Sequence, residues 1–207
     1  MRGKALFGAA VAAGASYAGA SALAVGPLLL VWKGAGVGLL AAWALRAVPA
    51  EPGRLLALVL GLHAAGDVVL DGVGLAAGAV LFLAGHLVAI RLYLAHRRAG
   101  APRVALIGAV PLALVAAALP GDPAAAPGIA LYALGLGGMA IAATLSRFPL
   151  AALGAWLFVL SDLIIFAGLG PLARVPVAAM LVWPLYFAGQ TLIAFAVGRG
   201  RPSGHAL

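Results

Sequence analysis

The sequence predicts an all-α protein, a polytopic membrane bundle of eight transmembrane helices with the N- and C-termini cytoplasmic. Three observations carry that prediction. Of 207 residues, 65% are hydrophobic and 9% charged, against about 45–50% and about 25% in a soluble globular domain; the solvent for most of the surface is therefore lipid. The chain divides into apolar runs close to the roughly 20 residues that a helix needs to cross about 30 Å of hydrocarbon. Its cations collect at alternate connections.

The runs are residues 5–23, 27–45, 54–71, 75–95, 103–119, 127–146, 149–169 and 175–197. Each is too long for a strand, and lipid admits only helices or closed barrels. The first follows Arg2 and Lys4. Pro27 opens the second, which closes at Arg46. The third lies between Arg54 and the Asp71–Gly72 turn, and the fourth ends before His96, Arg97 and Arg98. Arg103 begins the fifth, and Pro120–Gly121 ends it. The sixth runs from Pro127 to Arg147. The last two open at Pro149 and Pro176, where proline suits a first helical turn because its missing N–H has no intrahelical partner there. The connections hold a few residues each, so consecutive helices are antiparallel neighbours and residues 1–207 form a single domain without a linker.

With the N-terminus inside, the cytoplasmic segments carry Arg2, Lys4, Arg46, Arg54, Arg97, Arg98, Arg103, Arg147, Arg199 and Arg201, and the outer segments only Arg174. This is the positive-inside bias. It accounts for the net charge of +8 without a nucleic-acid partner. The start has the form of a signal peptide, with cleavage near Ala20-Ser21-Ala22, which would leave seven spans. The length and Gly content of the run favour a packed first helix instead. Cysteine is absent, which excludes disulfides and thiolate metal sites.

Ionisable groups at membrane depth are costly and mark function by default. Here they are Lys33, His63, Asp67, His86, Arg91 and Asp162, joined by the uncharged Gln190. At 1.5 Å rise per residue, Asp67, Lys33 and Asp162 lie about 6, 9 and 10 Å from the outer ends of three different helices. Three charges therefore share one level. In the stretch "HAAGDVVLD", His63 is expected to partner Asp67 one turn away, and Asp71 to be a solvated or capping group at the helix end. Lys33 is a structural partner for Asp67 or a binding group. Arg91 is expected to snorkel toward the inner interface. Ser161 is the one polar neighbour of Asp162 in "GAWLFVLSDLIIF".

Phe82, His86, Ile90 and Tyr93 form a stripe on the fourth helix, and Trp183, Tyr186 and Gln190 one on the eighth. Together they predict a polar-floored pocket open toward the outer leaflet, with an apolar part between the stripes. His63, Asp67 and His86 lack metal-ligand spacing, so no metal and no cofactor is expected. Ser161 has neither a neighbouring His nor the strand–turn–helix elbow of a serine nucleophile.

Taken together, the residues resemble the YhhN family of lysoplasmalogenase-like membrane proteins. The resemblance spans nearly the whole chain and rests on "WKGAGVGLL", "GDVVL", "FLAGHL", "GAWLFVLSDLIIF" and "YFAGQTLIAF" in order. The chain departs from the family at Gly34, where Pro is usual, and at Ala89, where an aromatic is common; neither change removes an ionisable group. A faint echo relates the third and seventh spans and the "AGH" and "AGQ" that follow them, as a parallel duplication would.

The resemblance implies an enzyme that hydrolyses the vinyl ether bond of a lysoplasmalogen within the bilayer. The products are a fatty aldehyde and glycerophosphoethanolamine or glycerophosphocholine. Such a bond breaks by protonation of the alkene carbon and capture of the oxocarbenium ion by water, a task for a carboxylic acid and a carboxylate together, as in glycosidases. Burial favours the protonated carboxyl and a nearby cation the ionised one. One Asp is then the acid and the other the carboxylate; the sequence leaves both assignments open and favours Asp162, in the more apolar surroundings, as the acid and Asp67, with Lys33 and His63 at hand, as the carboxylate. Lys33, His63, His86, Ser161, Tyr186 and Gln190 support or bind. The lysolipid is the expected partner, with no protein partner, and the location is a bacterial inner membrane. The rival reading is a small proton-coupled transporter or lipid-binding protein built on the same cluster.

Overall fold

A computed structural model describes residues 2–20, 26–48 and 50–200. Among these, eight α-helices follow one another without a strand: α1 (Arg2–Ala20), α2 (Pro27–Ala47), α3 (Ala50–Gly72), α4 (Leu75–Ala95), α5 (Ala109–Ala117), α6 (Ala126–Leu145), α7 (Pro149–Gly168) and α8 (Pro176–Arg199). Each predicted run overlaps one of them. The end of the first run and two residues of the cleavage motif, Ser21 and Ala22, lie outside the described residues, as does Arg201.

Among the described residues, six helices are long and apolar enough to cross a membrane: α2, α3, α4, α6 with its lead-in, α7 and α8. The fifth run departs from expectation. It starts as a 3₁₀ segment, Arg103–Gly108, and becomes α-helical only at Ala109. Pro111 explains the break, because its ring would strike the carbonyl four residues earlier in a continuous helix; starting at Ala109 puts Pro111 in the first turn. Pro27, Pro149 and Pro176 each open a helix as predicted.

Beside a buried apolar core, the surface and the buried polar groups depart from the pattern of a soluble protein. Val80, Leu114, Leu131 and Met180 are more than 60% exposed, whereas His63, Asp67, His86, Ser161, Asp162 and Gln190 are buried. Lipid matches the first group and protein the second. With lipid outside, apolar burial offers little net drive, and close packing of small residues holds the helices together. Gly154 and Gly189 show this most directly. A β-carbon on either would lie 2.5–2.6 Å from the other's carbonyl oxygen, so α7 and α8 touch backbone to backbone. Tryptophan N–H groups fasten α1: Trp32 donates to the Ala13 carbonyl (3.1 Å) and Trp183 to that of Gly14 (2.8 Å).

The turns align at two ends. At one, Arg98 N–H donates to the Leu145 carbonyl and Arg147 N–H to that of His96, both at 3.0 Å. At the other, Gly121 N–H donates to the Leu169 carbonyl at 3.0 Å. Gly74, at φ 142° between α3 and α4, makes that reversal tight where a side chain would be strained. Arg91 is exposed on α4.

Candidate functional site

The second end holds the cavity. Asp67 is five residues from the last residue of α3, and Asp162 six from that of α7; helix rise puts both about 8–9 Å below the turns. They are 3% and 5% exposed, and a buried carboxyl in either protonation state needs a hydrogen-bond partner. Both partners are tyrosines. Tyr186 on α8 donates its O–H to Asp67 Oδ2 at 2.7 Å, and Tyr132 on α6 donates to Asp162 Oδ2 at 2.6 Å. Both are short O–H···O bonds. Each carboxyl commits one oxygen to a tyrosine, and both aspartates line one cavity of about 860 Å³, within electrostatic reach of each other.

Apart from these groups the cavity is mainly aliphatic, with Ala79, Val80 and Leu83 from α4 and Ile129 and Leu131 from α6. This broadens the expected apolar part beyond α4 and α8. The stripes on α4 and α8 converge, with Phe82 and Tyr186 5.9 Å apart and Phe158 of α7 4.9 Å from Tyr186, so aromatic rings form one wall of the cavity. The apolar lining extends from α4 and α6 to Ile165 of α7 and Ala179 and Val182 of α8, and exposed Val80 and Leu131 border it toward the lipid.

Two expected pairings change. Lys33 bonds both oxygens of Asp71 at 2.8 Å, not Asp67, and Asp71 is an ion-pair partner at the cavity mouth instead of a cap. The reason is reach. Lys33 can extend along α2 toward the wetter end, and meeting Asp71 there strips less water than meeting Asp67 below. Lys33 still acts on Asp67 electrostatically. His63 partners Gln190, whose amide Nε2 donates to His63 Nδ1 at 2.8 Å, and not Asp67. Gly85 allows this, since a β-carbon there would collide with the imidazole.

His63, His86 and Gln190 are wholly buried and do not line the cavity; they form its foundation. Tyr132 spends its hydrogen on Asp162, so its oxygen accepts from His86 Nε2 at 3.2 Å, which assigns the Nε2–H tautomer to His86. The result is a chain from α4 through α6 to α7, His86–Tyr132–Asp162. Ser161 lies beside Asp162 and donates to the Val182 carbonyl on α8 at 3.0 Å, a tether between helices. Tyr132 was absent from the residues selected by sequence. The available signal was its depth in the sixth span, level with the aspartates.

The echo between halves has a spatial counterpart. His63 and Asp67 on α3 occupy the spacing of Phe158 and Asp162 on α7, and Phe82 and His86 on α4 that of Tyr186 and Gln190 on α8. Rings from these positions meet: His63 lies 5.1 Å from His86, 5.4 Å from Phe82 and 5.2 Å from Phe158. The contacts with His86 and Phe158 are edge-on, a geometry that contributes about 0.5–1.5 kcal/mol per aromatic pair beyond burial. Among the described residues, no group of three His, Asp or Glu is placed to hold a metal ion.

A helical membrane protein with two tyrosine-held carboxylates in a lipid-bordered cavity is the class that fold and site define. The family model of the YhhN family matches residues 28–197, which includes Lys33, both aspartates and their tyrosines. The chain belongs to the YhhN family. No curated protein and no solved structure matches it.

Proposed function

We propose that this protein is an intramembrane hydrolase that cleaves the vinyl ether bond of lysoplasmalogens. The observation that carries the reading is the pair of buried aspartates, from α3 and α7, that share one mainly aliphatic cavity. Membership of a family known as lysoplasmalogenase-like supports it. The cation bias supports eight spans, with the cavity end outward and both termini cytoplasmic. A bacterial inner membrane is the expected location.

Chemistry assigns the roles. The acid transfers its proton to the alkene carbon β to the ether oxygen, and the electron pair of the double bond forms the new C–H bond. The adjacent carbon becomes an oxocarbenium ion. Water attacks that carbon and loses a proton to a carboxylate, giving a hemiacetal. Collapse of the hemiacetal releases the fatty aldehyde and returns a hydroxyl to the glycerol. Asp162 is the acid, and Tyr132 with His86 behind it fixes its orientation. Asp67 is the carboxylate that faces the cation and directs water; Tyr186 fixes it. The lysolipid's single chain occupies the aliphatic part of the cavity.

A second reading, proton-coupled transport, is favoured by the His86–Tyr132–Asp162 chain, which links three helices by hydrogen bonds as a relay would. Fatty aldehyde release from lysoplasmenylethanolamine and lysoplasmenylcholine by the detergent-purified protein separates the two. The hydrolase reading expects aldehyde. Its absence from well-folded protein with both substrates would overturn that reading and leave transport.

A further inference from the structure

We propose that Lys33 and Asp71 form a headgroup subsite at the cavity mouth that selects lysolipids carrying both a phosphate and an ammonium. The proposal deepens the reading above and rests on it for the ligand being a lysolipid.

The charged side chains that line the cavity fall into two sets. Asp67 and Asp162 lie deep. Lys33 and Asp71 lie at the mouth, with side chains 13% and 33% exposed and Nζ bonded to both carboxylate oxygens. Such a pair is a fixed image of a phosphate–ammonium zwitterion. It can exchange partners with one: phosphate takes Lys33, ammonium takes Asp71, and no charge is unpaired before or after. A lysolipid with phosphate but no ammonium would capture Lys33 and leave Asp71 alone beside a second negative charge, which is selection by repulsion.

Spacing agrees. Asp71 is one turn beyond Asp67 on the same face of α3, about 6 Å along the helix, so a bond reacting at Asp67 puts the headgroup, a glycerol away, at Asp71. The walls suit an ammonium as well. Tyr17 and Trp183 line the cavity with ring centroids 4.4 Å apart, and the Tyr17 hydroxyl is within electrostatic reach of Asp71. Trp183 is pinned by its bond to Gly14. Aromatic faces attract ammonium groups, quaternary ones included.

The test is equilibrium binding of two 1-alkyl lysolipids to the detergent-purified full chain. One bears phosphoethanolamine, the other a phosphate methyl ester with the same phosphate charge and no ammonium; neither has a vinyl ether to cleave. The wild type is expected to bind the phosphoethanolamine lipid at least about tenfold tighter, the scale of one charge-assisted contact. Asp71→Asn should erase the preference, weakening the first ligand and tightening the second. The double exchange Lys33→Asp with Asp71→Lys restores an ion pair, so it controls for folding; it should also lose the preference, because each charge then faces its like. Equal binding of both ligands by the wild type, or a preference retained by the exchanged pair, would overturn the proposal. Because neither ligand is a substrate, the preference is read independently of vinyl ether cleavage: it can stand if hydrolysis fails, and fail if hydrolysis stands.

Discussion

The hydroxyl of Tyr132 on α6 donates to Asp162 on α7 at 2.6 Å, while its oxygen lies 3.2 Å from His86 Nε2 on α4. One tyrosine therefore sets the position of the carboxyl assigned as the acid.

Tyr132→Phe keeps the ring against His86 and Phe166 and removes only the hydroxyl. A hydrogen bond to a charged group contributes about 1.5–3 kcal/mol. If that contribution is made in the transition state, kcat for aldehyde release falls about 10- to 100-fold. KM should change little, since the tyrosine holds the acid and not the substrate. A raised KM with unchanged kcat would show that Tyr132 acts in binding instead.

Gly189→Ala tests the backbone contact between α7 and α8. The methyl would sit 2.6 Å from the Gly154 carbonyl oxygen, and overpacking of this kind costs about 1–3 kcal/mol. Gly61→Ala is the control, because nothing lies within 4 Å of its added β-carbon. Thermal unfolding in detergent should show a lower Tm for the first variant and an equal or higher one for the second. Equal Tm values would mean that the helices separate at little cost.

The absence of cysteine makes topology directly measurable. Val73 and Val104 are 77% and 66% exposed, in connections assigned to opposite sides. In intact cells a membrane-impermeant thiol reagent should label Val73→Cys, and should label Val104→Cys only after permeabilisation. The reverse pattern would invert the bundle and put the cavity on the cytoplasmic side.

Much of this architecture was legible because the bilayer imposes length. Pro27, Pro149 and Pro176 mark helix starts by covalent geometry, and spacing from the helix ends put Asp67 and Asp162 on one level; it put Lys33 there too, but the Lys33 ammonium sits at the cavity mouth on Asp71. Side-chain partners were less legible, because they depend on how each helix is rotated. Whether Lys33 meets Asp67 or Asp71 is decided by packing such as that of Gly34, where a β-carbon would lie 2.7 Å from Val68. His63 turned to Gln190 because Gly85 vacates the space beside it. Tyr132, among Leu, Ala and Gly, reads in sequence like any interfacial aromatic; only its contact across helices distinguishes it.

The central claim is that Asp67 and Asp162 together hydrolyse a vinyl ether by protonating carbon. The most direct measurement is mass spectrometry of the aldehyde released in heavy water by wild type, Asp67→Asn and Asp162→Asn. The account predicts one deuterium on the carbon next to the wild-type aldehyde group. It also predicts a rate loss of at least about a hundredfold in each folded variant, the scale of acid–base catalysis. An aldehyde without that deuterium, or a folded variant with wild-type rate, would contradict it.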